Sequence, residues 1–262
     1  MKLGILSVAV LILLSCCKVK QVDFKAKNVA TTDFNSLSEQ FLQHIKDNKD
    51  TKAIEDTLAN TTLQELDNAL VTDEQKYAFW LNIYNAYIQV ILAEHPEYYD
   101  DRRDFFSKEQ INIAGEMVSF AKIEHGIIRK SQWELGLGYF RKIFPDKFER
   151  KLRVNKRDYR IHFALNCGAK DCPPVAIYTP NRLKEQLQKG TAIYLERTTN
   201  LDAKNNIVKV TSLFSWFRGD FGGKNGVKKI LKEQNLIQNT KDVDLSYKNY
   251  DWTLDLDNFI DL

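Results

Sequence analysis

One segment restricts the fold more than any other: DEQKYAFWLNIYNAYIQVILAE, residues 73–94. Thr72 with Gln75 three residues later is a capping-box signature, and Pro96 bars the helical pattern beyond Glu94. Trp80, Tyr84, Tyr87 and Ile91 form one helical stripe; Phe79, Ile83, Ala86 and Val90 form a second. A helix apolar on most of its circumference must be covered on most sides, so the rest of the chain has to wrap around it. A third stripe is polar: Asn82, Asn85 and Gln89 fall along one edge. A buried amide left unpaired costs about 1–3 kcal/mol, so these side chains are predicted to bond loop backbone and fix the fold. The alternative is that an amide faces a cleft, where Asn82 or Asn85 would polarise a bound carbonyl.

Other elements follow from periodicity and punctuation. FNSLSEQFLQHIKDN (34–48) and TTLQELDNAL (61–70) read as amphipathic helices, and INIAGEMVSF (111–120) as a hairpin turning at Ala114-Gly115. AKIEHGIIRKS (121–131) puts Ile123, Ile127 and Ile128 on one helical face, with Glu124 and His125 on the other and Arg129 four residues beyond the histidine. RDYRIHFAL (157–165) alternates like a strand, with Arg160, His162 and Ala164 opposite the apolar set. Thr179-Pro180 predicts a helix start, Asn205-Asn206 a second hairpin, NGVKKILKEQN a short helix, and YKNYDWTLD an extended end. Arg218 and Asp220 read as a loop ion pair, and Trp216, Phe217, Tyr250 and Trp252 as core, or else as the aromatic wall of a cleft. Helices and strands mix without a βαβ rhythm, so the expected class is α+β: helices and short antiparallel strands or hairpins around one core.

The N-terminus bears on location. Met1-Lys2 followed by LGILSVAVLILL is too short an apolar run to span a bilayer, and it ends at LLSCC. Residues 1–15 therefore read as a lipoprotein signal peptide cut before Cys16, which would carry the acyl chains; Cys17 is assigned no role. Removing Lys2 takes the formal charge from +3 to +2, a balance that predicts no nucleic-acid partner. Residues 16–34 are a tether and 35–262 a single α+β domain. The expected setting is the bacterial cell envelope, at the outer membrane of a Gram-negative cell, with the bilayer as one partner and an envelope protein, peptide or glycan as another.

FWLNIYNAY, KIEHGIIRK, IHFALNCGAKDCPP with AIYTPNRL after it, FSWFRGDFG and YDWTLD occur in that order. This set of blocks resembles the bacterial lipoprotein branch of the domain-of-unknown-function 547 family across residues 75–255. Asp171 departs from the pattern, standing where relatives have serine. The resemblance implies a domain boundary; it implies no established activity.

The cysteine loop NCGAKDCPP holds the chemistry, and three readings stand. In an oxidising envelope Cys167 and Cys172 can pair across the turn as a disulfide. Alternatively Cys167 is the nucleophile of a hydrolase or acyl transferase, with His125 as its base and Glu124 or Asn82 orienting that base. His162 and Asn166 flank this loop as binding residues. In the third reading His162, Cys167 and Cys172 would ligate a metal, but they lack close paired spacing and an evident fourth ligand, so neither metal nor cofactor is expected. The two function classes are a non-catalytic envelope binding module and a cysteine-dependent enzyme.

Overall fold

A computed structural model describes residues 32–262 apart from position 242. The stretches expected to be a signal peptide and a tether, with Cys16 between them, lie outside the described residues but for the last of the tether. Helices α1 (Phe34–Lys46), α2 (Lys52–Asn60) and α3 (Leu63–Ala69) lead into α4 (Asp73–Glu94), the long helix expected from the sequence. The capping box closes as predicted: Thr72 accepts from the Gln75 amide, and the Gln75 side chain accepts from the Thr72 amide. Every residue of α4 from Lys76 to Gln89 is buried, with α1 laid along it.

A short helix α5 (Arg102–Ser107) precedes the first hairpin, β1 (Ile111–Ile113) and β2 (Glu116–Val118). Residues 121–131 are helical as expected, but the turn is a wide one: Lys122–Ile128 is a π-helix, in which the Arg129 amide reaches back to the Glu124 carbonyl at 2.8 Å. Ile123, Ile127 and Ile128 all point into the core. Gly126 is required here, because a Cβ would stand 2.7 Å from Glu149, a buried carboxylate on α6 (Lys147–Leu152).

The strand expected over 157–165 is instead a 3₁₀ turn, Tyr159–Phe163, started by Asp158, which accepts from the Arg160 amide at 2.9 Å. The segment lies between two apolar clusters, with Ile161 and Ala164 in one and Phe163 in the other. Burial on both sides makes period-two alternation uninformative. The helix expected from Thr179 begins later, as α7 (Leu183–Thr198). Asn82 grips both the amide and the carbonyl of Tyr178 at 2.8 Å, and Gln186 bonds the Thr179 amide and the Ile177 carbonyl, so residues 179–182 are spent on a turn.

β3 (Asn200–Asp202) and β4 (Ile207–Val210) form the second hairpin. The short helix α8 (Leu213–Trp216) and α9 (Gly223–Glu233) follow. Then β5 (Asp244–Tyr247) joins β4 in parallel, so this small sheet is mixed, not purely antiparallel. The class is α+β, and the interior has two parts. A large cluster surrounds α4; a smaller one gathers Tyr194 and Leu195 of α7, Val208 and Val210, Phe214, Phe221 and the apolar face of α9. Among the described residues no helix is long and apolar enough to cross a membrane.

Candidate functional site

A cleft of about 200 Å³ opens where the two clusters meet. The π-helix supplies Glu124 and His125, the 3₁₀ turn supplies His162, and the cysteine loop supplies Cys167. Its apolar walls include Tyr84 from α4 and Trp216, Phe217, Tyr250 and Trp252 from the C-terminal third. Four residues singled out in the sequence for chemistry thus share one cavity. Trp216 and Trp252 stack with ring centroids 5.4 Å apart, and Tyr250 leans on both at 5.0 and 4.8 Å. These rings are half-buried, so part of each face remains open to the cleft.

Behind the cleft lies Asp220, whose partners differ from the loop pair expected in the sequence. Arg218 turns away and donates to the Ser215 carbonyl at 3.1 Å. Asp220 is instead held by Arg129 Nε at 2.7 Å, Arg157 Nη1 at 2.7 Å and His162 Nε2 at 2.8 Å. Burial opposes its ionisation, but the hydrogen bonds and charges of His162 and Arg129 outweigh that and hold its carboxyl below the usual range. Gly138 makes room for it, with a φ of +88° and only 2.6 Å between an added Cβ and Asp220 Oδ1.

The two histidines have opposite polarity, as assigned from their partners. Burial, with Arg129 nearby, holds His162 down to about 4. Asp220 already faces two guanidiniums, so a protonated imidazole would add a third positive charge to one carboxylate. His162 is therefore neutral at pH 7: Nε2–H donates to Asp220, and the lone pair is on Nδ1, which makes it a base. His125 is the reverse. Arg129 donates to its Nδ1, so its proton is on Nε2, and burial and Arg129 keep its pKa well below the usual range. It is a hydrogen-bond donor to whatever occupies the cleft. Glu124 lies 3.7 Å from His125 Nδ1, too far for a hydrogen bond, and Arg129 takes the orienting place the sequence had given to Glu124 or Asn82. Burial pushes Glu124 up to about 7, and its Oε1 has no partner among the described residues.

Cys167 and Cys172 are joined in a disulfide, their Cα atoms 6.1 Å apart. The Cys167 amide and the Tyr250 hydroxyl both donate to Cys172 Sγ, at 3.0 and 3.2 Å. Both sulfurs are in that bond and His162 is on Asp220, so His162, Cys167 and Cys172 do not converge as ligands. No cluster of three or more His, Cys, Asp or Glu suited to a metal occurs among the described residues.

None of the three asparagines lines the cleft: Asn82 and Asn85 are on α4, and Asn166 opens the cysteine loop itself. Asn85 donates to the Ala164 carbonyl at 3.0 Å and accepts from the Asn166 amide at 2.8 Å. Asn166 closes its own turn onto Gly168 and Pro173, both at 2.8 Å, and Asn82 holds Tyr178. Each has both ends of its amide committed to main chain.

Sequence reasoning missed Asp220 as the hub and Arg157 as its partner. His162 and Asp220 are 58 residues apart, and no local pattern joins them. The i, i+4 spacing of His125 and Arg129 was the one visible trace.

Residues 69–195 match the family model described as "Protein of unknown function, DUF547". No curated protein and no solved structure matches the chain.

Proposed function

Residues 69–195 match the DUF547 family model, and from that match we propose that the protein is a lipid-anchored envelope protein whose cleft binds a saccharide of an envelope polymer without catalysing its turnover. The carrying observation is the group of half-open rings, Trp216, Tyr250 and Trp252, beside Glu124 and His125. Aromatic faces take the apolar C–H face of a sugar ring. A donor such as His125 Nε2–H and an unpartnered carboxyl such as Glu124 suit the hydroxyl and amide groups at its edge. The cavity is sized for a sugar ring, not a folded partner. Anchoring rests on the LLSCC leader, which would place the cleft a tether's length from the bilayer.

A second reading is favoured by one observation: Cys167 lines the same cleft as His162. Within the disulfide its sulfur is no nucleophile. Released by a dithiol reductant, its thiol would pass a proton to His162 Nδ1 as the sulfur attacks an acyl carbon. The acyl–oxygen bond breaks, the departing alcohol takes that proton, and water or an acceptor hydroxyl then cleaves the thioester and restores the thiol, making this a thiol hydrolase or acyl transferase.

Calorimetric titration of the oxidised full chain with N-acetylhexosamine oligosaccharides tests the first reading. Trp216→Ala is expected to weaken binding about tenfold, roughly 1.4 kcal/mol. Absence of binding by the oxidised protein, together with acyl-ester cleavage only after reduction, would replace the first reading with the second.

A further inference from the structure

Residues 131–144 form a hairpin-like loop whose apolar side chains mostly point outward. Gln132 bridges Arg141, and the Trp133 amide donates to the Phe140 carbonyl at 2.9 Å. The loop is held from below, because the Gly219 amide donates to Leu137 and Lys142 pairs with the buried Glu149. Yet Leu135 is 75 % exposed, Ile143 84 % and Phe144 92 %, with Trp133 and Phe140 also open to solvent. So many large exposed apolar groups in one short segment mark a surface built to be covered.

Beside the loop is a pocket of about 470 Å³ lined by Arg129, Arg141, Lys156 and Arg157, with Asp158 and Asp220 as its carboxylates. Asp158 is already paired with Arg160, and Asp220 is shared by Arg129 and Arg157, so the pocket is left with surplus positive charge. Arg129 Nη2 is buried with no partner among the described residues. Insertable aromatic and aliphatic tips next to a cationic pocket are complementary to the interface of an anionic bilayer.

The entry of the chain agrees. The described residues begin at Thr32, and in α1 Asn35 bonds the Gln75 carbonyl at 2.9 Å, in the first turn of α4. Asp73 in that same turn accepts from the amides of Asn155 and Lys156, at 2.6 and 2.8 Å, and Lys156 lines the pocket. The first turns of α1 and α4 are thus tied to each other, and α4 is tied in turn to the Lys156 edge of the pocket.

From this we infer that residues 133–144 dock into the interface of an anionic membrane, with the Arg129–Arg141–Lys156–Arg157 pocket taking a lipid phosphate. This is independent of what the aromatic cleft binds.

The test uses the full chain with vesicles of brominated phosphatidylcholine, with or without phosphatidylglycerol. The readout is the quenching lost on Trp133→Phe, which isolates Trp133 from the other tryptophans. Docking predicts Trp133 quenching on the anionic vesicles. It should disappear in Ile143→Glu/Phe144→Glu, whose exposed sites leave the fold intact by circular dichroism, and fall sharply in Arg141→Glu/Lys156→Glu or without phosphatidylglycerol. Vesicle-bound protein with Trp133 unquenched would mean that the N-terminal segment alone holds it, and would overturn docking. Equal quenching on neutral and anionic vesicles would overturn the phosphate pocket. Self-association abolished by Ile143→Glu/Phe144→Glu, with no Trp133 quenching, would make the loop an interface between copies instead.

Discussion

The amide pair Asn82 and Asn85 of α4 and the charged seam behind the cleft both bury polar groups, and they satisfy them in opposite ways. Asn82 and Asn85 are fully buried, and each spends both ends of its amide on backbone that would otherwise be orphaned, whereas Gln89, third in the stripe, accepts from the Asp257 amide and leaves its Nε2 without a partner among the described residues. In the seam, three cationic or imidazole groups converge on one carboxylate, while Glu124 Oε1 and Arg129 Nη2 keep no partner among the described residues. Satisfied amides hold loops in place. Charged groups left short of partners beside an open cleft are where a ligand or a proton has something to gain.

The comparison breaks most sharply at Asp220. Asp220→Ala leaves Arg129 buried without a counter-charge, and an unfolding loss of about 3–5 kcal/mol is expected from urea titration. A loss below 1 kcal/mol would mean that solvent reaches the seam and that it is not a buried network.

Next is Glu124. With its carboxyl raised from 4.5 to about 7 in the fold, the native state holds a proton that the unfolded chain has released between those values. Its stabilising contribution is complete below pH 4.5 and lost as pH rises through about 7. At about 1.4 kcal/mol per pH unit the penalty approaches roughly 3 kcal/mol. Glu124→Gln should therefore unfold at a higher denaturant concentration than the parent at pH 8 and at nearly the same one at pH 4. An unchanged difference across that range would remove Glu124 as a strained acid.

The smallest effect sharpens the other side. Asn85→Ala orphans the Ala164 carbonyl and the Asn166 amide, so a loss of about 2 kcal/mol is expected, with saccharide affinity of the folded fraction unaltered. Weakened affinity at full stability would move the amide stripe into the functional class.

How much was legible depends on the range of the interaction. The capping box at Thr72, the stop before Pro96, the hairpins at Ala114-Gly115 and Asn205-Asn206 and the helix around Val227 are set by neighbours a few residues apart, and each is present. The strand expected over 157–165 failed because both of its faces are buried, and the helix expected from Thr179 starts late because α4 holds Tyr178. Glu124, His125, His162 and Cys167 were legible as residue types with chemistry. Their roles were not. Which imidazole nitrogen keeps its lone pair depends on Arg129 for one histidine and Asp220 for the other.

The sequence by itself determined the central helix, its apolar girth, its amide edge and a cysteine pair close enough in the chain to close one turn. Those features depend on spacing along the backbone, where a period or a cap is complete within a few residues. Only the tertiary structure decided that Asp220 would gather Arg129, Arg157 and His162 from 91, 63 and 58 residues away, and that two tryptophans would meet beside them. Charges so far apart in the chain are brought within hydrogen-bond reach by the packing of two apolar clusters, and nothing local to any one of them records where the others will be.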